Sequence, residues 1–146
     1  MDKNKLIELF ESAIRTKNPD EVDMAVAEAF SVLETSDCIP FLCQLLEFDW
    51  HYDHEDIASL LQQIASPKSV DVLFKTATRK FEYLNYDDSK PLSRKCIWAL
   101  ADIGNAESRK ALIELTKNQD AEIAGYAQKR IDNWNLEIGR KKHYNS

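Results

Sequence analysis

Glycine is scarce in this chain, with three in 146 residues, and proline is little more frequent, with four. That scarcity excludes a collagen-like or proline-rich chain and a flexible low-complexity linker. Long apolar runs are missing too, and none reaches the length of a membrane-spanning helix. Residues 1–5 lead directly into an amphipathic pattern without the apolar core of a secretion signal, so a cytoplasmic location is expected. Positive charge is outnumbered: 19 Lys and Arg face 25 Asp and Glu, for a formal charge of −6. A negative surface repels phosphate backbones, which argues against a nucleic-acid reader and for a basic partner. The one cationic cluster, Arg140, Lys141 and Lys142, lies in a polar tail (139–146) that follows a single domain expected over residues 1–138. Three cysteines, Cys38, Cys43 and Cys96, sit on or beside apolar stripes, which reads as reduced core thiols and not a disulfide framework. There is no glycine-rich phosphate loop, no paired-cysteine zinc spacing and no Gly-x-Ser-x-Gly elbow.

What the chain does contain is one turn written three times. The segment from Leu33 through Pro40 to Leu42 aligns with Ile64 through Val70 to Leu73, and with Ile103 through Lys110 to Leu112. The first step spans 31 residues, from 33 to 64, and the second 39, from 64 to 103; an insertion around residues 81–88 accounts for the difference. A period in this range predicts stacked helical hairpins, each burying its apolar face only against its neighbours. Apolar stripes at helical spacing run almost throughout, such as Val22, Ala25, Val26 and Ala29, or Leu92, Cys96, Ala99 and Leu100. Sustained alternation is absent, so no strand is expected. Leu33, Leu42, Ile64, Leu73, Cys96, Leu100, Ile103 and Leu112 should be the buried anchors. Trp98 and Trp134 read as core or repeat-interface residues.

Cys96, Trp98, Ala99, Leu100, Asp102, Ile103, Gly104 and Asn105 together resemble the first helix and turn of a HEAT repeat, and the likeness covers nearly the whole chain. It implies an all-α, right-handed α-solenoid of HEAT-like helical hairpins, about three and a half repeats plus an N-terminal helix. Residues 50–57, 81–89 and 95–100 further resemble a bacterial subgroup found beside secreted polymorphic toxins. That resemblance implies a non-enzymatic immunity protein that binds a cognate toxin domain such as a nuclease; no cofactor or metal is expected. Such folds host many functions, so the inference is one of analogy.

Two connections between hairpins, residues 47–56 and 81–88, carry the candidate site. They hold eight of the 25 carboxylates (Glu47, Asp49, Asp53, Glu55, Asp56, Glu82, Asp87, Asp88), six aromatics (Phe48, Trp50, Tyr52, Phe81, Tyr83, Tyr86) and no Lys or Arg. In a helical array equivalent connections lie along one edge, about 10 Å apart. Aromatics supply buried area and carboxylates steer cations, so Trp50, His51, Tyr52, His54, Glu55, Asp56, Tyr83, Tyr86, Asp87 and Asp88 are expected to contact a basic protein partner, with Trp50 as the anchor. The alternative is structural: the aromatics plug gaps between repeats, and Asp53 or Asp56 caps the next helix. His51, His54, Glu55, Asp87 and Asp88 raise a third possibility, a metal-dependent enzyme, although a single His-Glu pair does not reproduce the repeated pairs of the HEAT-like iron hydroxylases. A generic scaffold is the fourth. On the residues alone these readings stay open.

Overall fold

The computed structural model describes residues 1–32 and 35–136. Eight α-helices follow in order: α1 Lys3–Thr16, α2 Pro19–Ser31, α3 Ile39–Glu47, α4 His54–Ile64, α5 Val70–Thr78, α6 Lys90–Ile103, α7 Ala106–Leu115 and α8 Ala121–Asp132. No strand occurs among the described residues, and no helix is long and apolar enough to cross a membrane. The fold is all-α.

Local chemistry starts and stops these helices. Asn18 accepts the amide hydrogens of Asp20 and Glu21, and Pro19 supplies a first helical residue that needs no hydrogen-bond partner. Asn105 and Ser108 form a reciprocal capping box at the start of α7, and Asp120 caps α8. Gly104 ends α6 at φ 67°, a left-handed conformation that glycine adopts without a Cβ clash. Helices α3 and α5 begin differently. Each grows out of a single 3-10 turn, at Ser36–Cys38 and Pro67–Ser69, and has no side-chain cap at its own first turn.

The helices pack in two rows. Contacts run α2 to α4 to α6 to α8 in one, and α1 to α3 to α5 to α7 in the other; α1 packs on α2, α3 on α4 and α5 on α6 across the rows. A continuous apolar core lies between them, with Phe10, Leu42, Leu61, Leu73, Ile97 and Leu100 fully enclosed. Of the expected anchors, Leu42, Leu73, Cys96, Leu100 and Leu112 are fully buried. Ile64 and Ile103 are only half-buried, because each is the last residue of its helix, where the chain leaves the core. Leu33 and the tail 139–146 lie outside the described residues. Trp98 corrects another expectation. It sits mid-helix in α6 and is 43% exposed, while Trp134 packs half-buried against the core.

Leu100 lies fully buried in the last turn of α6, the helix that touches α4, α5, α7 and α8. Replacing it with Ala should lower unfolding free energy by about 2–5 kcal/mol through the cavity left behind. Denaturant titration checks this, and a loss below about 0.5 kcal/mol would mean that the central stripe is misassigned.

Candidate functional site

The two long connections meet. Tyr52 of the first and Tyr83 of the second pack edge-to-face with ring centroids 5.3 Å apart, and the Tyr83 hydroxyl lies 2.6 Å from His54 Nδ1. This is closer than the helix-packing distance expected from sequence. The second connection reaches over the first by winding a 3-10 segment, Glu82–Asp87. Its ends are then tied: the Phe81 amide donates to Ser89 Oγ, and the Ser89 amide donates to the Leu84 carbonyl. Asp88 and Ser89 close it with consecutive left-handed backbones, φ 57° and 59°, an arrangement uncommon for residues other than glycine.

His54 opens α4 and is fully buried. Its Nε2 is 2.6 Å from the Phe48 carbonyl, which can only accept, so Nε2 carries the proton. Nδ1 therefore accepts from the Tyr83 hydroxyl, and that same oxygen accepts the His54 amide hydrogen at 3.2 Å. The helix is thus capped by a phenol from the other connection. Asp53, expected to be a cap, makes no such bond. The His54 ring lies between His51 and Phe81, with centroids at 4.1 and 3.9 Å. His51, also fully buried, donates from Nε2 to the Leu45 carbonyl at 2.6 Å and accepts the Asp53 amide at Nδ1.

Both imidazoles are accordingly neutral. Burial, and then the neighbouring His51, push the His54 pKa down to about 3, and burial lowers that of His51 as well. Beside them Asp53 Oδ2 is buried without a hydrogen-bond partner. Burial first, then the neighbouring carboxyls of Asp23 and Asp56, raise the Asp53 pKa to about 8. Burial also raises the thiols of Cys38, Cys43 and Cys96, the opposite of what an activated nucleophile requires.

This geometry redistributes the expected site. His51 and His54 have no exposed surface, so neither touches a partner; their rings are structural because every ring nitrogen is already used. The same engagement removes them as metal donors, and no group of three or more His, Cys, Asp or Glu is placed to hold a metal among the described residues. Trp50 is half-buried, stacked on Phe48 and edge-on to His51, so it belongs partly to the core. Asp87 turns inward to accept the Ser89 amide. Asp88 pairs with Lys80 at 2.5 Å and approaches Lys90 at 3.9 Å, and Glu55 pairs with Lys95 at 3.8 Å. Tyr83 is half-buried. Tyr52 and Tyr86 face outward, 65% and 82% exposed, as does Asp56.

Several contributors lie just outside the two segments. Arg79 donates to the Glu47 carbonyl at 2.6 Å and places its guanidinium 4.5 Å from the Phe81 ring centroid, stitching the connections together. Lys80 and Lys95 offset Asp88 and Glu55, whereas Lys90 pairs closely with Asp120 and only approaches Asp88. Arg79, Lys80 and Lys90 were signalled by their adjacency to the second run; Lys95, further along α6, was not. Exposed Asp49, Asp56 and Glu82 make no ion pair among the described residues. Between the connections a cleft of about 410 Å³ is lined by Asp49, Tyr52, Arg79, Lys80, Phe81, Glu82 and Tyr83.

Set against family models, characterised proteins and solved structures, the chain matches none.

Two outcomes follow from this geometry. Tyr83→Phe orphans His54 Nδ1 and the His54 amide, and should cost about 1–3 kcal/mol in chemical denaturation. A neutral effect would show that the phenol is dispensable. Stability should also peak near pH 6.5. The neutral histidines stabilise the fold above their unfolded pKa of about 6.5, and that contribution falls away as pH drops toward the folded values. Asp53 acts with the opposite sign: its folded pKa lies above the unfolded value, so its contribution is lost as pH rises through about 8. Thermal melts from pH 5 to 9 should show both slopes, with the alkaline one removed by Asp53→Asn. An unchanged alkaline slope in that variant would contradict the raised Asp53 pKa.

Proposed function

We propose that this chain is a non-enzymatic, stoichiometric protein binder of HEAT-like α-solenoid architecture, and that it acts as a cytoplasmic immunity protein. Its loop edge would occlude a cognate toxin domain that presents a basic surface. The observation that carries the reading is an outward-facing pair of tyrosines, Tyr52 and Tyr86, mounted on connections whose inner halves are locked by His54, Phe81 and Arg79. An exposed aromatic on a pre-ordered loop loses little conformational freedom on binding, which is what an interface anchor needs. Asp49, Asp56 and Glu82 surround the tyrosines with uncompensated negative charge suited to steering Lys and Arg. The two-row succession of helices supports the solenoid reading, with α1 to α8 as stacked hairpins. A purely structural role for the edge accounts for His51, His54 and Phe81 but leaves Tyr52 and Tyr86 without a function.

The candidate partner for a direct test is the C-terminal domain of a secreted protein encoded beside this chain. In surface-binding kinetics, replacing Tyr52 and Tyr86 with Ala should weaken affinity by at least about 2 kcal/mol while leaving the melting temperature unchanged. Neutralising Asp49, Asp56 and Glu82 should chiefly slow association and flatten its salt dependence. Trp50→Ala should lower stability as well as affinity, since its indole is half-buried. Tyrosine variants that bind normally would end the loop-edge reading.

A further inference from the structure

Two cations line the cleft between the connections, and they differ in their counter-charge. Lys80 is paired with Asp88. The contacts that hold Arg79 are neutral: Nη1 donates to the Glu47 carbonyl at 2.6 Å, and the guanidinium carbon lies 4.5 Å from the Phe81 ring centroid. No ion pair to Arg79 exists among the described residues. A guanidinium is a planar fork of N–H donors, and the Glu47 carbonyl occupies only part of it. Arg79 Nε and Nη2 are not among the buried side-chain atoms left without a partner. Solvent therefore reaches them, and the open space that Arg79 lines is this cleft.

A half-buried guanidinium with free donors and no counter-ion is suited to a carboxylate, which it grips through parallel N–H···O bonds. The walls define what carries that carboxylate. Tyr52, Phe81 and Tyr83 offer ring surface to methylene groups, in a space of about 410 Å³. Asp49 on the first connection and Glu82 on the second also line the cleft, and neither makes an ion pair among the described residues. Chain on both sides of the bound carboxylate thus meets negative charge and should be basic. A nucleic acid fits less well, because its phosphates continue past the two acids. A chain terminus has a neighbour on one side only. We propose that this cleft takes an Asp or Glu side chain of the protein partner, presented between Lys or Arg residues. Its carboxylate binds Arg79, and the flanking cations bind Asp49 and Glu82. The inference rests on the loop-edge reading and sharpens it: the partner's basic surface carries a carboxylate at the point that meets Arg79.

The test uses the full chain, ¹⁵N-labelled, at low salt, followed through the backbone amides of residues 79–83. The probes are the acetylated, amidated peptide Lys-Leu-Glu-Leu-Lys and the same peptide with Gln for Glu. Acetylated Lys-Leu-Leu with a free chain end and a short oligothymidylate complete the set. The Glu peptide should bind at least about fivefold more tightly than the Gln peptide, as a charge-assisted bond requires. Arg79→Lys keeps a charge but loses the fork, and should cut that ratio at least about threefold. If Arg79→Lys fails to fold, the Arg79 Nε–H resonance of the unaltered chain serves instead: the Glu peptide should shift it and the Gln peptide should not. Asp49→Asn with Glu82→Gln should weaken both peptides alike, since both carry the flanking lysines. Equal binding of the Glu and Gln peptides, an unchanged ratio in Arg79→Lys, tighter binding of the chain-end peptide or of the oligonucleotide, or no shift at residues 79–83 would each overturn the proposal. The loop-edge reading fails separately, on a partner that binds the Tyr52 and Tyr86 variants normally.

Discussion

One imidazole joins three parts of this molecule. His54 ties the end of α3 through the Phe48 carbonyl, starts α4 through its own backbone, and holds the second connection through the Tyr83 hydroxyl. Stacking against His51 and Phe81 fills the space above and below the ring. The arrangement requires a neutral ring with its proton on Nε2, because the Phe48 carbonyl offers only lone pairs. A charged imidazolium would turn Nδ1 into a donor facing the phenol's own proton, and would sit buried beside a second histidine without a counter-charge. The solvent-facing geometry of the edge follows from that constraint. Tyr83 is held by its hydroxyl, Tyr52 leans on Tyr83, and the cleft between the connections takes its width from both.

The edge thereby separates into an inner and an outer set. Inward groups, among them His51, His54, Phe81, Ser89 and Asp87, complete hydrogen bonds or fill volume. Outward groups are Tyr86, Asp49, Asp56 and Glu82, together with Tyr52, whose ring is mostly exposed and touches the inner set only through its edge-to-face contact with Tyr83. Cations at positions 80, 90 and 95 belong to the inner set functionally, because they offset carboxylates, and Arg79 joins them by binding the Glu47 carbonyl and the Phe81 ring. The negative field that remains outside is smaller than a count of acids suggests, and it is concentrated where no lysine reaches.

Much of the helical framework could be read from the chain. The recurring turn placed Gly104 and Asn105 at a helix end and the next start, and the α6 stripe of Cys96, Ala99 and Leu100 is buried as its spacing implied. The proximity of the two connections was also legible, since any stacked array puts equivalent loops on one edge. What could not be read was direction. The spacing of His51 and His54 is the same whether the rings point to solvent or to the core, and only the positions of Leu45, Phe48 and Tyr83 decide it. Trp98 shows the converse failure. A tryptophan between Ile97 and Ala99 suggests burial, yet helical geometry turns it to the opposite face from Leu100, where α8 offers an arginine in place of an apolar wall.

The second connection also shows how its shape is encoded. Its closure rests on Phe81, Leu84, Asp87, Asp88 and Ser89, through backbone and inward side-chain bonds, and on two left-handed residues in succession. None of these is the tip. Glu82, Asn85 and Tyr86 are presented to solvent by a frame that does not use their side chains. Substitutions at the tip therefore cost little in folding free energy, while changes in the frame meet a steep penalty. Over generations, substitutions would accumulate at those three positions first, and the frame that holds them would be retained.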